Sequence, residues 1–554
     1  MHAMHTAWQN LQSGRLQQAG SIYMDVLKVQ PNNIEALSLC SNIAHKLGKP
    51  SLARELLEKA INFYPDRADL HSNLGYVLND LRNPDLALKH LNLALAINQN
   101  YPDAYINRAN ALRIQGRIED ALSDYRKAIE LMPENMLAQA NYIYTLNFSS
   151  KASPNKVFRE HCIFAETLEA NTAGRRSSFA RNKYDPSRKI RIGYISPDFR
   201  THSVAYFIEP VIKNHDKKCF SIFCYYNHHL YDNTTKAIKE ACDNFRDTAN
   251  LDDNQLVNVI KNDRIDILVD LAGYTGNNRA SVLAYQPAPL QVSWLGYPNT
   301  SGLSSINYRI TDEIADPAGL SDKIHTEKLI RLQDGFLCYK PPQDAPLVAR
   351  SPHKANGYIT FGSFNNLAKT NPDVLEAWAT IMSNVKDSNL MLKCAGLNNT
   401  IAASDIVSFF ETKGINAGRI HTFGNTPSRH EHLEKYSKID IALDPFPYCG
   451  TTTTCEALWM GVPVVTLEGL VHRARVGSSL LNQIGLNELV GESTNQYMEI
   501  AIKLAAQPKK INSIRESLRD RMTRSSLTNA KEFTSKLESA YKLIWSEWCE
   551  NNSY

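Results

Sequence analysis

The residues best suited to chemistry lie between Asp444 and Gly461, in the run DPFPYCGTTTTCEALWMG. An apolar stretch ends at Asp444. Pro445, Pro447 and Gly450 then make a turn, and Thr451–Thr454 lead into a helix carrying Ala457, Leu458 and Met460. The first backbone N–H groups of a helix have no partner inside it and sit at the positive end of its dipole. Beyond Gly450, those groups and the hydroxyls of Thr451, Thr452 and Thr453 form an anion cradle suited to the leaving diphosphate of a nucleotide sugar. Threonine is also a common helix cap. One threonine suffices for a cap, and this run has four. Glu456, in the first helical turn, is placed to accept hydrogen bonds from ribose hydroxyls.

Three further groups fit the same chemistry. Lys369 follows the loop FGSFNNLAK and reaches a phosphate as a point charge, although most lysines only decorate a surface. Arg429, His430, His432 and Lys435 cluster after another candidate strand; on a helix, His432 and Lys435 share a face with Arg429. They would line the base and ribose end of a pocket, or form a solvated basic face. His202 lies in the loop DFRTHSVAYF, ahead of an apolar helix. There it would act as a general base or orient the diphosphate, or be a structural histidine. Tyr274, Arg279 and the stretch Trp294–Pro298 lie at similar strand ends and would shape the acceptor side or pack a turn.

Absent motifs narrow the class. No GxGxxG follows a candidate strand and no GxxxxGK precedes Ser or Thr, which disfavours a dinucleotide oxidoreductase and a P-loop ATPase. No Asp-x-Asp pair offers to hold a divalent ion on a diphosphate, so Lys, Arg, hydroxyls and a helix N-terminus must meet that charge. No metal is expected.

These residues need a scaffold. From Lys189, short β-branched and aromatic runs alternate with helical stretches. Candidate strands are Ile190–Ile195, Phe220–Tyr226, Ile265–Leu271, Gln291–Leu295 and Tyr308–Thr311. A second series comprises Tyr358–Ser363, Leu390–Cys394, Ile420–Phe423, Ile439–Leu443 and Val462–Leu467. Apolar strands at this spacing predict two parallel-sheet α/β units, over 188–345 and 356–554, with a ligand cleft between them.

The front of the chain has a different period. Ala19, Ala53, Ala87 and Ala121 recur every 34 residues, as do Ala7, Ser41, Gly75 and Ala109. Gly14, Gly48 and Gly116 mark inner turns, with Arg82 as the exception; Pro31, Pro65 and Pro133 end the second helices, with Gln99 as the exception. That period is typical of tetratricopeptide units, whose stacked helix pairs build a concave groove for a peptide or partner. The array is assigned to 1–150, and 151–187 to a helical connector and linker. The fold class is thus α followed by α/β.

At 554 residues the chain should hold about three or four domains. Hydrophobic residues make up 43% and charged residues 21%, with a net charge of +4, which excludes a disordered chain and argues against a nucleic-acid partner. Ten scattered cysteines without CxxC pairs, a polar start and no apolar run of membrane length predict a cytoplasmic protein with no membrane segment.

The motifs RIGYISPDFRTHSVAYF, IDILVDLAGYT, PAPLQVSWLGYPNTSGL, YRITDEIADP, ITFGSFNNLAK and LDPFPYCGTTTTCEALWMGVPVVTL resemble the protein O-GlcNAc transferase and SPINDLY family over nearly the whole chain. The resemblance implies a metal-independent GT-B fold that transfers a sugar, with inversion, from a nucleotide donor to Ser or Thr of proteins presented by the array. By motif position it implies that His202 and Asp263 match proposed proton acceptors and Lys369 the essential lysine. It also places Asn366 beside that lysine, Arg429 and His432 on the nucleotide side, Thr452 and Thr453 on the phosphates and Glu456 on the ribose. The chain departs from the animal pattern at Thr451 (a histidine there), Asn366 (a glutamine) and Glu456 (an aspartate), and lacks a long insertion between the halves. FNNLAK and GTTTTCEALWMGVP are closer to SPINDLY, whose plant members use GDP-fucose. UDP-N-acetylglucosamine is the favoured donor and GDP-fucose the alternative. A scaffold with a decayed transferase half and an N-linked glucosyltransferase remain the rival readings.

Overall fold

The computed structural model describes residues 2–177, 179, 185, 187–398 and 400–551. Among the described residues, ten helices precede any strand: α1 (His2–Gln12), α2 (Leu16–Val29), α3 (Ile34–Lys46), α4 (Pro50–Phe63), α5 (Ala68–Asp80), α6 (Pro84–Ile97), α7 (Pro102–Ile114), α8 (Ile118–Leu131), α9 (Met136–Leu146) and α10 (Pro154–Asn171). They stack as antiparallel pairs. The alanine column Ala19, Ala53, Ala87 and Ala121 is fully buried between them. In the second column, that of Ala7, Ser41, Gly75 and Ala109, a Cβ at Gly75 would come within 2.5 Å of the Leu91 side chain, so that position takes glycine.

The inner turns require a left-handed residue. Gly14, Gly48 and Gly116 have φ of +72°, +71° and +78°. Arg82 takes the same place with φ +58°. The turn is therefore kept without glycine, at a cost of about 1–2 kcal/mol for a side-chain-bearing residue.

Helix α10, assigned from sequence to a connector, is a docked element. His161 Nε2 lies 2.7 Å from the Tyr297 hydroxyl, and Glu169 accepts the Ser304 N–H at 2.8 Å. Within the 151–187 connector, Ser178, residues 180–184 and residue 186 lie outside the described residues.

Two parallel sheets follow. The first contains β1 (Ile190–Ser196), β2 (Phe220–Tyr226), β3 (Asn244–Asp247), β4 (Ile267–Asp270), β5 (Leu290–Ser293), β6 (Tyr308–Thr311) and β7 (Lys328–Arg331), in the order β3-β2-β1-β4-β5-β6-β7. The second contains β8 (Thr360–Ser363), β9 (Asn389–Lys393), β10 (Ile420–Phe423), β11 (Ile441–Leu443), β12 (Val464–Leu467) and β13 (Val490–Gly491), in the order β10-β9-β8-β11-β12-β13. Both are doubly wound, so strand order reverses between β1 and β4 and between β8 and β11, where such sheets bind ligands.

The boundary expected at 356–554 needs one correction. The last helix, Ala530–Asn551, crosses back to the first half. Glu538 accepts the Asp216 N–H at 2.7 Å and lies 2.9 Å from His215 Nδ1, while Phe533 stacks on Trp294. Its apolar face finds its partner there rather than on the second sheet. Among the described residues no helix is long and apolar enough to cross a membrane.

Candidate functional site

The loops that follow β1, β4, β8 and β11 face one another across the cleft between the sheets. Two adjoining cavities fill it, of 790 Å³ and 510 Å³. His202, Ser203, Asn366, Thr452 and Thr453 line both and form the waist between them.

The threonine helix spans Thr452–Trp459, and Thr451 stands at its cap without a side-chain capping bond. Its first N–H groups are thus left uncapped by that side chain, as an anion cradle requires. Among the described residues the Thr454 hydroxyl is buried without a hydrogen-bond partner. Gly450 makes the turn possible, because a Cβ there would lie 2.5 Å from Thr454 Oγ1 and 2.6 Å from Thr453 Oγ1. Asp444 fixes the loop, accepting the Gly450 N–H at 2.7 Å and the Thr466 hydroxyl at 2.9 Å. Burial lifts the Asp444 pKa to about 6.

Lys369 lies against this loop in the smaller cavity. Its Nζ donates to the Cys449 carbonyl at 2.8 Å and stands 3.9 Å above the Tyr448 ring. Desolvation pulls its pKa below the ordinary lysine value. One donated bond leaves the ammonium two further donors. Asn366 caps the turn that presents Lys369 through its bond from the Ala368 N–H at 3.0 Å.

The larger cavity holds a charge cluster around buried Glu456. His432 Nε2 lies 3.1 Å from Glu456 Oε2, and Arg429 Nη2 lies 3.5 Å from Oε1. Lys393 Nζ approaches His432 Nδ1 at 2.8 Å. An ammonium only donates, so Nδ1 accepts and Nε2 carries the proton given to Glu456. The Arg429 guanidinium also lies 3.5 Å from the centre of the Tyr206 ring, which comes from the other half. Lys393 and Tyr206 escaped the sequence reading, yet both line the cavity. Lys393 ends β9, a strand-end position that could have flagged it. Lys435 and His430 do not line either cavity. Lys435 stacks over Phe423, and His430 Nδ1 lies 3.0 Å from the Asp344 carbonyl.

The first half supplies the opposite wall. His202 is half-buried at the waist; its Nδ1 accepts the Val204 N–H at 3.3 Å and lies 3.5 Å from Asp198 Oδ1. Desolvation, then Arg200, pull its pKa down to about 4, so the ring is neutral at pH 7. Asp198 lines the smaller cavity, and burial raises its pKa to about 6. Asp270, at the end of β4, accepts the N–H groups of Ala272 and Gly273 at 3.1 Å and 2.8 Å, as Asp444 does in the other half. Leu295 and Gly296 line the smaller cavity, whereas Tyr274, Trp294 and Tyr297 are buried as packing. Arg279 is drawn away by Asp253 at 2.8 Å and the Leu251 carbonyl at 2.8 Å.

Asp263, expected as a proton acceptor, is not in the cleft. It follows the helix Asp253–Asn262 at the amino-terminal end of β4, opposite the ligand edge. Arg246 holds its carboxylate through two bonds of 2.8 Å and 3.1 Å, and the Tyr225 hydroxyl donates at 2.9 Å. It is a structural ion pair.

The array also reaches the site. Tyr76, Arg82, Asn110 and Arg113 line the larger cavity. Asp85 accepts the Ile401 N–H at 3.0 Å, and a Cβ on Gly116 would lie 3.0 Å from the Leu367 carbonyl.

Comparisons with known proteins agree with this architecture. The profile of Glycosyl transferase family 41 matches residues 167–341 and 338–537, and tetratricopeptide repeat profiles match 10–75 and 66–134. A protein of Petunia hybrida named "Probable UDP-N-acetylglucosamine--peptide N-acetylglucosaminyltransferase SPINDLY" is 39% identical over 428 residues, 76% of this chain and 46% of that one. The Arabidopsis thaliana protein of the same name is 39% identical over 423 residues, again 76% and 46%. The chain thus spans about half the length of these curated relatives. A variant of the Thermobaculum terrenum O-GlcNAc transferase superposes with a TM-score of 0.89 at 33% identity, covering 94% of this chain and 98% of that one.

Proposed function

Because the chain belongs to glycosyltransferase family 41, we propose that it moves N-acetylglucosamine from UDP-N-acetylglucosamine to serine and threonine hydroxyls of proteins, with inversion at the anomeric carbon. The observation that carries the reading is the meeting of Lys369 with the helix start at Thr452 and Thr453 on one side of the interdomain cleft. The diphosphate rests there. The nucleoside extends into the larger cavity, where Glu456, oriented by His432 and Arg429, faces the ribose. The sugar occupies the smaller cavity beside Leu295 and Gly296.

The acceptor oxygen attacks C1 from the face opposite the phosphate, and the C1–O bond breaks with its electron pair leaving on the diphosphate. Lys369, the threonine hydroxyls and the helix dipole stabilise that charge. Such preorganised donors are worth about 2.7–4 kcal/mol each in comparable sites. This mechanism invokes no metal, so a chelator should leave the transfer rate unchanged. The array holds the protein acceptor and opens into the larger cavity through Tyr76 and Asn110. The ten unbridged cysteines support a reducing compartment, which we take to be the cytoplasm.

Thermal-shift titration checks the donor. UDP at about 100 times its dissociation constant should stabilise the chain by about 2.7 kcal/mol. Mass spectrometry should then find N-acetylhexosamine on Ser or Thr of acceptors. Stabilisation by GDP and not UDP would move the donor to GDP-fucose. Stabilisation by neither would sink the transferase reading and leave a partner-binding scaffold.

A further inference from the structure

Attack by a hydroxyl calls for a proton acceptor at the sugar end of the cleft, and Asp263 lines neither cavity, its carboxylate being held by Arg246 and Tyr225. On the transferase reading the reacting carbon lies in the smaller cavity, beside Lys369 and Thr451. The titratable side chains lining that cavity among the described residues are Tyr144, Asp198, Arg200, His202, Lys369 and Tyr448. Arg200 and Lys369 are cations. Tyr448 lies beneath the Lys369 ammonium, and the Tyr144 ring carries the Arg113 guanidinium. His202 already uses Nδ1 to accept the Val204 N–H at 3.3 Å, so Nε2 bears the proton and presents a donor to the cavity.

Asp198 is left. It is the carboxylate that lines this cavity among the described residues. Its Oδ1 lies 3.4 Å from Arg200 Nη2 and 3.5 Å from His202 Nδ1. Both contacts are longer than a charge-assisted bond, whereas Arg246 grips Asp263 at 2.8 Å. The Asp198 carboxylate therefore retains acceptor capacity that a tight ion pair would use up.

We propose that Asp198 takes the proton from the acceptor hydroxyl as its oxygen bonds to C1. In that step the O–H proton passes to the carboxylate, the oxygen–C1 bond forms, and the C1–phosphate oxygen bond breaks with its electron pair going to the diphosphate. His202 then serves as a hydrogen-bond donor through Nε2. Burial brings the acid close to its working range, at about 6, against the opposing pull of Arg200 and His228. A base titrating just below neutral pH is charged in the cell and still a competent acceptor. The pKa of His202, at about 4, makes it the weaker base.

The test compares wild type with Asp198→Asn and Asp198→Glu, measuring kcat, the dissociation constant for UDP and the pH profile of kcat/KM. We expect Asp198→Asn to lower kcat by about 100-fold or more, with UDP binding changed by less than about threefold. The wild-type profile should fall below about pH 6, and the Asn variant should lose that limb. Asp198→Glu should restore a substantial part of kcat and shift the limb; this variant decides the matter if Asp198→Asn does not fold. An Asn variant with near wild-type kcat would overturn the proposal, as would one that is slow yet keeps the acid limb, which would assign the proton to a phosphate oxygen of the donor or to His202. A Glu variant with an unmoved limb overturns it as well. A wild-type enzyme that transfers no sugar overturns the transferase reading first, and this assignment with it.

Discussion

The two α/β halves share a strand order and use it for opposite electrostatic ends. The second half gathers cations: Lys369, Lys393 and Arg429 converge on the cleft with His432 and buried Glu456 among them. Burial works against charge in both halves, lifting Asp198 and Asp270 of the first and Asp444 of the second to about 6, but in the first it also lowers His202 to about 4 and so leaves that half's cleft imidazole neutral. Each half spends a buried aspartate at a switch-point strand to hold its loop, Asp270 in one and Asp444 in the other. The scaffold supplies the same loop positions twice. On the proposed transferase reading, the side chains placed there make one half grip the diphosphate and the other shape the space where the acceptor hydroxyl reacts.

The largest expected effect tests the gripping half. Lys369→Ala should lower kcat by about 100- to 1,000-fold while the unfolding midpoint stays within about 2 °C, since the ammonium is held by one carbonyl bond and the face of one tyrosine ring. A variant with near-normal turnover would break the contrast between the halves.

The next effect tests the first half. The folded-state pKa of Asp270, about 6, exceeds the ordinary 3.8, so folding favours the protonated acid. Its stabilising contribution is full below 3.8 and is lost as pH rises through about 6. The difference is on the order of 3 kcal/mol. Urea unfolding at pH 4 and pH 7 should show a steeper loss for wild type than for Asp270→Asn, and equal slopes would remove Asp270 from the comparison.

The smallest effect concerns the residue that sequence misplaced. Asp263→Asn should leave turnover within about twofold and cost about 1 kcal/mol or less, the value of a partly exposed ion pair. A collapse of kcat with intact folding would return Asp263 to the mechanism.

That misplacement shows what sequence can deliver. Residues after a strand were placed well, because a parallel sheet sends every such loop to one edge. Lys369, His202 and Thr452 follow β8, β1 and β11 and meet in the cleft. Asp263 precedes β4 and so lies at the other edge. Lys393 and Tyr206 were missed because each meets its partner from a different element, the first through His432 and the second through Arg429. Apolar central strands were legible; β3 and β7 at the margins of the first sheet and β13 in the second were not, being short and partly polar. The repeat was read from its small residues. Arg82 shows why its exception did not matter, since the stacked helices impose the turn on whatever residue stands there.

The closeness of Gly116 to Leu367 and of Asp85 to Ile401 makes the array resemble a ruler clamped at one end. The clamped graduations, α6 to α8, touch the turn that presents Lys369 and the wall of the larger cavity. A repeat added or removed there would shift the zero mark and drag Lys369 with it. At the outer end, repeats contact only their neighbours, so the ruler can be lengthened or shortened without moving its zero. If the array holds the acceptor as proposed, acceptor choice can thus evolve by changing reach while the chemistry stays calibrated.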